Sequence, residues 1–152
     1  MIRLWLFFHL LGFVMWLGGA IGSMVAGIAS RREDRAGLGA VVRAQGALQK
    51  IIIAPGALLT VLSGLILTFA VSGRSEDLVG FNLWLVIMQG AGLLAALITL
   101  LIGLPTAAKL VRLDPAGPGA GYFDELRQRQ RIVASISGTL GLVALLAGAM
   151  LG

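Results

Sequence analysis

Charged positions are bunched along this chain, leaving four long runs with no formal charge at residues 4–29, 51–72, 78–108 and 132–152. Each run exceeds the roughly 20 residues needed to cross a hydrocarbon core of about 30 Å at about 1.5 Å per residue. Lipid offers no partners to backbone amides, so runs of this kind must be helical. The pattern predicts an all-α integral membrane four-helix bundle, one transmembrane domain over residues 1–152 with spans at about 4–29, 51–72, 81–108 and 132–152. The third span is placed from Phe81 because Gly80 and Asn82 suit a loop or cap. The first run is too long for a signal-peptide core, and Arg31, Arg32 and Arg35 follow it where only Arg3 precedes, so it reads as a retained span.

The connectors carry their own patterns. In residues 35–50, Leu38, Val41, Val42 and Leu48 fall at helical spacing while Arg35, Arg43 and Lys50 occupy another sector. That predicts an amphipathic helix lying at the lipid headgroups and leading into span two. Residues 114–121 (DPAGPGAG) form a turn-rich break, after which Asp124 is the expected N-cap of the fourth helix. Pro55 is expected near the start of span two, where its missing donor costs little, and Pro105 is expected to kink the end of span three.

Charge changes the picture by giving it a direction. The pI of about 11.1 resembles that of a nucleic-acid binder until the cations are mapped. Arg31, Arg32, Arg35, Arg43 and Lys50 fall in the first connector, and Lys109, Arg112, Arg127, Arg129 and Arg131 in the third; Arg3 and Arg74 stand elsewhere. The positive-inside rule then places connectors one and three in the cytoplasm and both termini outside. Nucleic acid is not an expected partner; membrane lipid, other membrane subunits or a second copy are. Trp5 and Trp84 are expected at the outer boundary, and Tyr122 with Phe123 at the inner one. The sequence has no cysteine, which excludes disulfides and thiolate metal sites.

Between helices in lipid, small residues permit the close approach that the hydrophobic effect does not drive. Gly12, Gly18, Gly19 and Gly22 on span one, Gly56 and Gly64 in a Gly56–Thr60–Gly64–Thr68 series on span two, and Gly138 on span four are the expected packing positions. No Asp, Glu, Lys or Arg falls within a span, which argues against a proton- or ion-coupled transporter. The chemistry that remains is sparse. On span one, Trp5, His9, Gly12, Trp16 and Gly19 form one stripe, with Trp16 about 18 Å from Leu4 and therefore near mid-bilayer. His9 and Gln89 are expected at similar depth, with Met88 beside Gln89 and Ser63 and Thr68 nearby. The reading is either a helix-joining hydrogen bond of about 0.6 kcal/mol or a cofactor contact through His9, Trp16, Met88 and Gln89. The candidate ligands are haem b, another pigment or a quinone; for haem, Met88 or Met15 would be the second ligand, unless the site stays open or a second copy completes it.

The opening FFHLLGFVMWLGG, with His9, Trp16 and the Gly18–Gly19 pair, resembles the first helix of a group of small bacterial membrane proteins. The group includes predicted four-span integral membrane proteins without an assigned reaction, the HemJ-type protoporphyrinogen oxidases and, more remotely, CopD-like copper-resistance proteins. LQKIIIAPGALLTVLSGLIL extends the resemblance through span two, on Pro55 and Gly64, so that it covers roughly the first 70 residues. It implies a haem-linked role for His9. In HemJ-type proteins the third helix also brings a lysine and a histidine, whereas residues 81–108 here contain neither. The leading expectation is a non-enzymatic accessory or structural subunit of a larger membrane complex, of the electron-transfer or photosynthetic kind. The rival is a haem-binding HemJ-like oxidoreductase using His9, and the third, disfavoured, is a small transporter.

Overall fold

A computed structural model describes residues 1–72 and 82–151, with the side chains of Val71 and Ser72 left aside. The expected loop at Gly80, the start of span three at Phe81, and Arg74 and Gly152 lie outside the described residues. Within them the chain is helical: α1 (Ile2–Ala29), α2 (Arg35–Leu48), α3 (Ala54–Ser72), α4 (Leu83–Ile98), α5 (Leu104–Leu110) and α6 (Ala120–Ala149). Four helices are long and apolar enough to cross a membrane. No strand occurs among the described residues. Asn82 caps α4, its Oδ1 accepting from the Trp84 and Leu85 amides at 3.1 and 3.4 Å.

Two of the four long helices are composite. A π turn at Gln49–Ile53 joins α2 to α3, giving one helix over Arg35–Ala70 of 36 residues, and another at Thr99–Gly103 joins α4 to α5. Each π turn ends two residues before a proline. Pro55 and Pro105 cannot donate to the carbonyl four residues back, and their rings crowd it; a wider turn just ahead accommodates both defects without breaking the helix. Pro55 stands in the first turn of α3, as expected near the start of span two, but the chain ahead of it is also helical, so the π turn does the accommodating.

The bundle is built as two pairs, α1 along α3 and α4 along α6. The pairs meet around Trp16, which is 4% exposed and packs with Ile53 and Ala57 of the second span, Ala95 and Ala96 of the third, and Leu140 of the fourth. This one cluster draws on all four long helices, with a single indole at its centre and small residues around it.

A second core lies at the end of the molecule that carries the basic connectors. Val42 of α2, Leu110 of α5, and Phe123 and Leu126 of α6 are buried together, with Val111 and Leu113 alongside. This corrects three expectations. The apolar face of α2 turns into protein instead of lying on headgroups, because α2 continues α3 and is held upright against α5 and α6. Phe123 is wholly buried rather than an interfacial anchor, while Tyr122 is exposed. Asp124 is not the N-cap, since α6 starts at Ala120 after Gly119; its carboxylate instead accepts both guanidinium nitrogens of Arg35 at 2.9 Å. Gly119 caps α6 without a side-chain bond, and the aspartate that does cap a helix is Asp34, whose Oδ1 accepts from the Gly37 amide at 2.7 Å at the head of α2. Asp114 accepts from the Ala116 amide at 2.9 Å and opens the Pro/Gly turn, which seats Pro115 against Gly39 of α2.

Asp124 lies before the apolar run that begins at Ile132, and the Arg35 hydrogen bonds hold its carboxyl below the ordinary carboxylate range. A depressed folded-state value stabilises the cap above the ordinary carboxylate pKa of about 3.9, and this contribution is lost as pH falls through the folded value. Acid titration is expected to loosen the α2–α6 contact, read by hydrogen exchange at Phe123; Asp124→Asn should remove the pH dependence. Both side chains are 49% exposed, so the change is small.

Candidate functional site

Helix α1 presents its stripe to α3, and the contact is made by glycine. A Cβ on Gly12 would lie 2.8 Å from the Thr60 amide nitrogen and 2.9 Å from the Gly56 carbonyl oxygen; one on Gly56 would lie 2.7 Å from the Trp16 nitrogen and 2.8 Å from the Gly12 oxygen. One on Gly19 would meet Ile53 at 2.7 Å. At Gly12 and Gly56 backbone meets backbone, which only glycine permits, whereas Gly19 makes room for the Ile53 side chain of the π turn. Nothing lies within 4 Å of the Cβ direction at Gly18, Gly22 or Gly138. Span one therefore divides its glycines, with Gly12 and Gly19 turned toward α3 and Gly18 and Gly22 turned outward.

His9 lies on this contact, its ring edge filling the space beside Gly64, where a Cβ would come within 3.0 Å of Cε1. Its Nδ1 is 2.8 Å from the Thr60 carbonyl oxygen. A carbonyl can only accept, so Nδ1 is the donor, and a neutral ring then has its lone pair on Nε2, the tautomer of a histidine that ligates or accepts through Nε2. Ser63 is 3.4 Å from the same Nδ1, but its hydroxyl donates to the Leu59 carbonyl.

The residues expected beside His9 fall on different partners. Gln89 donates to the Thr68 hydroxyl at 2.8 Å, and Thr68 donates to the Gly64 carbonyl at 2.9 Å, so His9 and Gln89 are linked through one turn of α3 instead of directly. The Met88 sulfur lies against Gly148 of α6, and the Met15 Cβ against Gly56. Trp16 is in the central core. The donor set at His9 thus suits one axial ligand of a haem, with neither candidate methionine shown beside it. Among the described residues no three His, Cys, Asp or Glu gather as a metal site.

Further polar contacts join the helices away from His9. Arg127 donates to the Ser30 hydroxyl at 2.6 Å, and Ser30 donates to the Gly27 carbonyl at 2.8 Å, bringing a cation to the negative end of the α1 dipole. Gln45 donates to the Ser23 carbonyl at 2.7 Å. Gln49 is buried on the π turn, with its Nε2 against Gly103. The Thr99 and Ser137 hydroxyl oxygens lie 3.0 Å apart between the third and fourth spans, while the Thr99 proton goes to the Ala95 carbonyl. The Gln130 Oε1 is buried without a partner among the described residues. Sequence reasoning missed these glutamines, although Leu38, Val42, Gln45 and Gln49 share one face at helical spacing, as do Phe123, Leu126, Gln130 and Ser137.

No family model matches the chain, and no curated protein or solved structure matches it.

Proposed function

We propose that this chain is a non-enzymatic multi-pass protein of a bacterial inner membrane, with both termini outside and the basic connectors in the cytoplasm, that packs as an accessory or structural subunit against other membrane chains. The observation that carries the reading is the outward face of α1. Gly18 and Gly22 stand one turn apart with open space at each Cβ, while Gly12 and Gly19 have already served the packing of α1 on α3. A Gly-x-x-x-Gly face left bare in the bundle is the surface on which another helix can approach closely. The chemistry agrees. The spans hold one histidine, no cysteine and no formal charge, and the Thr60, Thr68 and Thr99 hydroxyls donate to carbonyls one turn back on their own helices.

A second reading has one observation of its own: the Nδ1–H of His9 is fixed on the Thr60 carbonyl, which leaves Nε2 able to bind a haem iron. This is the role that the resemblance to HemJ-type proteins implies. Bound haem would supply one-electron chemistry, with His9 holding it from α1 and Gly64 giving the ring its place.

Purification from native membranes separates the two. A colourless protein recovered at fixed stoichiometry with larger membrane subunits supports the leading reading. A Soret band that vanishes in His9→Ala while the fold persists establishes the second and overturns the first.

A further inference from the structure

Three cations of the basic connectors line one groove. Arg43 and Lys50, from α2 and the π turn that follows it, face Arg112 beyond the end of α5 across a cleft of about 370 Å³. Gly46 lets Val111 come against α2 and close the groove's floor. All three cations are exposed, and no acidic side chain is among the described residues that line the cleft. The ion pair at this end, Arg35 with Asp124, uses none of them.

The groove also straddles a boundary. Lys50 immediately precedes the apolar run 51–72, and Leu104 and Ala108 close the run 78–108, so the cations sit above an apolar wall formed by Ile51, Leu104 and Ala108. Ile51 is 63% exposed and faces outward. Membrane topology requires a count of basic residues near the span ends, not their lining one groove. Arg31, Arg32, Arg129 and Arg131 add to that count without lining the cleft. An anion with a hydrocarbon body matches both halves of the site. A free phosphate would use only the upper half, and a soluble acidic peptide would leave Ile51 to other lipid.

We propose that this groove binds one anionic phospholipid from the leaflet adjoining the basic connectors, its phosphate held by Arg43, Lys50 and Arg112 and its glycerol and acyl portion lying on Ile51 and Leu104. Basic pockets between spans at this level recognise anionic headgroups, each cation contributing about fivefold in affinity. The site is independent of any partner docked on Gly18 and Gly22, which lie on a different helix.

The test is native mass spectrometry of the full chain in mild detergent, titrated with phosphatidylglycerol or phosphatidylcholine. One phosphatidylglycerol should be retained in clear preference to phosphatidylcholine. The preference should fall about fivefold for each cation removed across Arg43→Ala, Lys50→Ala and Arg112→Ala, and should stay unchanged in an Arg31→Ala, Arg32→Ala, Arg129→Ala control. If the triple variant melts early, Lys50→Gln alone should still lose about fivefold at an unchanged melting temperature. Equal retention of the two lipids, or an equal loss in the control, would overturn the proposal. Displacement of the lipid by glycerol phosphate or inorganic phosphate at comparable concentration would assign the site to a free phosphate. Displacement by an acidic peptide would assign it to a protein. Either result overturns the lipid.

Discussion

A Gly56→Leu protein is expected to lose the pairing of α1 with α3 and fail to reach the native bundle. Even Gly56→Ala should destabilise it by about 1–3 kcal/mol. The reason is geometric. The added Cβ would sit 2.7 Å from the Trp16 nitrogen and 2.8 Å from the Gly12 oxygen, and backbone atoms inside two helices cannot step aside as a flexible side-chain tip does. Pushing α1 away also lifts Trp16 out of the central core and draws the His9 ring off Gly64, so the loss spreads along the whole interface. Gly12→Leu should act the same way. Gly90→Leu, where the Cβ direction is open, is the control and should melt with the parent. Unfolding in mixed micelles, followed by Trp16 fluorescence in a Trp5→Phe, Trp84→Phe background, provides the measurement.

Phe123→Ala carries the second large effect, through different physics. Phe123 is 0% exposed and packs with Val42, Leu110 and Leu126 beyond the apolar runs. The hydrophobic effect operates there as it does in a soluble protein. Removing the ring should cost the cap about 3–5 kcal/mol, the usual range for a buried phenylalanine. The loss should stay local: amides of α2 and of the start of α6 exchange faster, while those around Trp16 keep their protection. Tyr122→Ala, at an exposed neighbour, should leave both regions as they were. Rapid exchange throughout the bundle would mean that the cap and the spans form a single cooperative unit.

These effects mark where sequence was informative. Four apolar runs yield four helices long and apolar enough to cross a membrane, as runs that must satisfy their own amides should, and the fourfold spacing of Gly56, Thr60 and Gly64 marked a packing stripe on α3. The stripe of Trp5, His9, Gly12 and Trp16 led to a buried Trp16 and a His9 seated on α3.

Other features were hidden for physical reasons. Amphipathic residues at Leu38 and Val42 look the same whether their apolar side meets lipid or protein; only the contact with Leu110 and Phe123 decides. Which glycines face inward depends on helix rotation, which periodicity leaves open, so Gly18 and Gly19 looked equivalent although one is bare and the other meets Ile53. The prolines were placed by the sequence, but the π turns ahead of them were not, because such turns leave no mark in residue type. The pairing of Gln89 with Thr68 instead of His9 turns on a single helical turn, finer than depth estimates from span boundaries resolve.

The claim at the centre of this account is that α1 has one glycine face for its own fold and another for a second chain. Its most direct test is a Gly18→Ile, Gly22→Ile protein expressed at native level and purified from its own membranes beside the parent. Open space at both positions predicts an unchanged melting temperature, together with the loss of subunits that accompany the parent. Companions retained in full at an unchanged melting temperature, or a fold that collapses, would contradict that division.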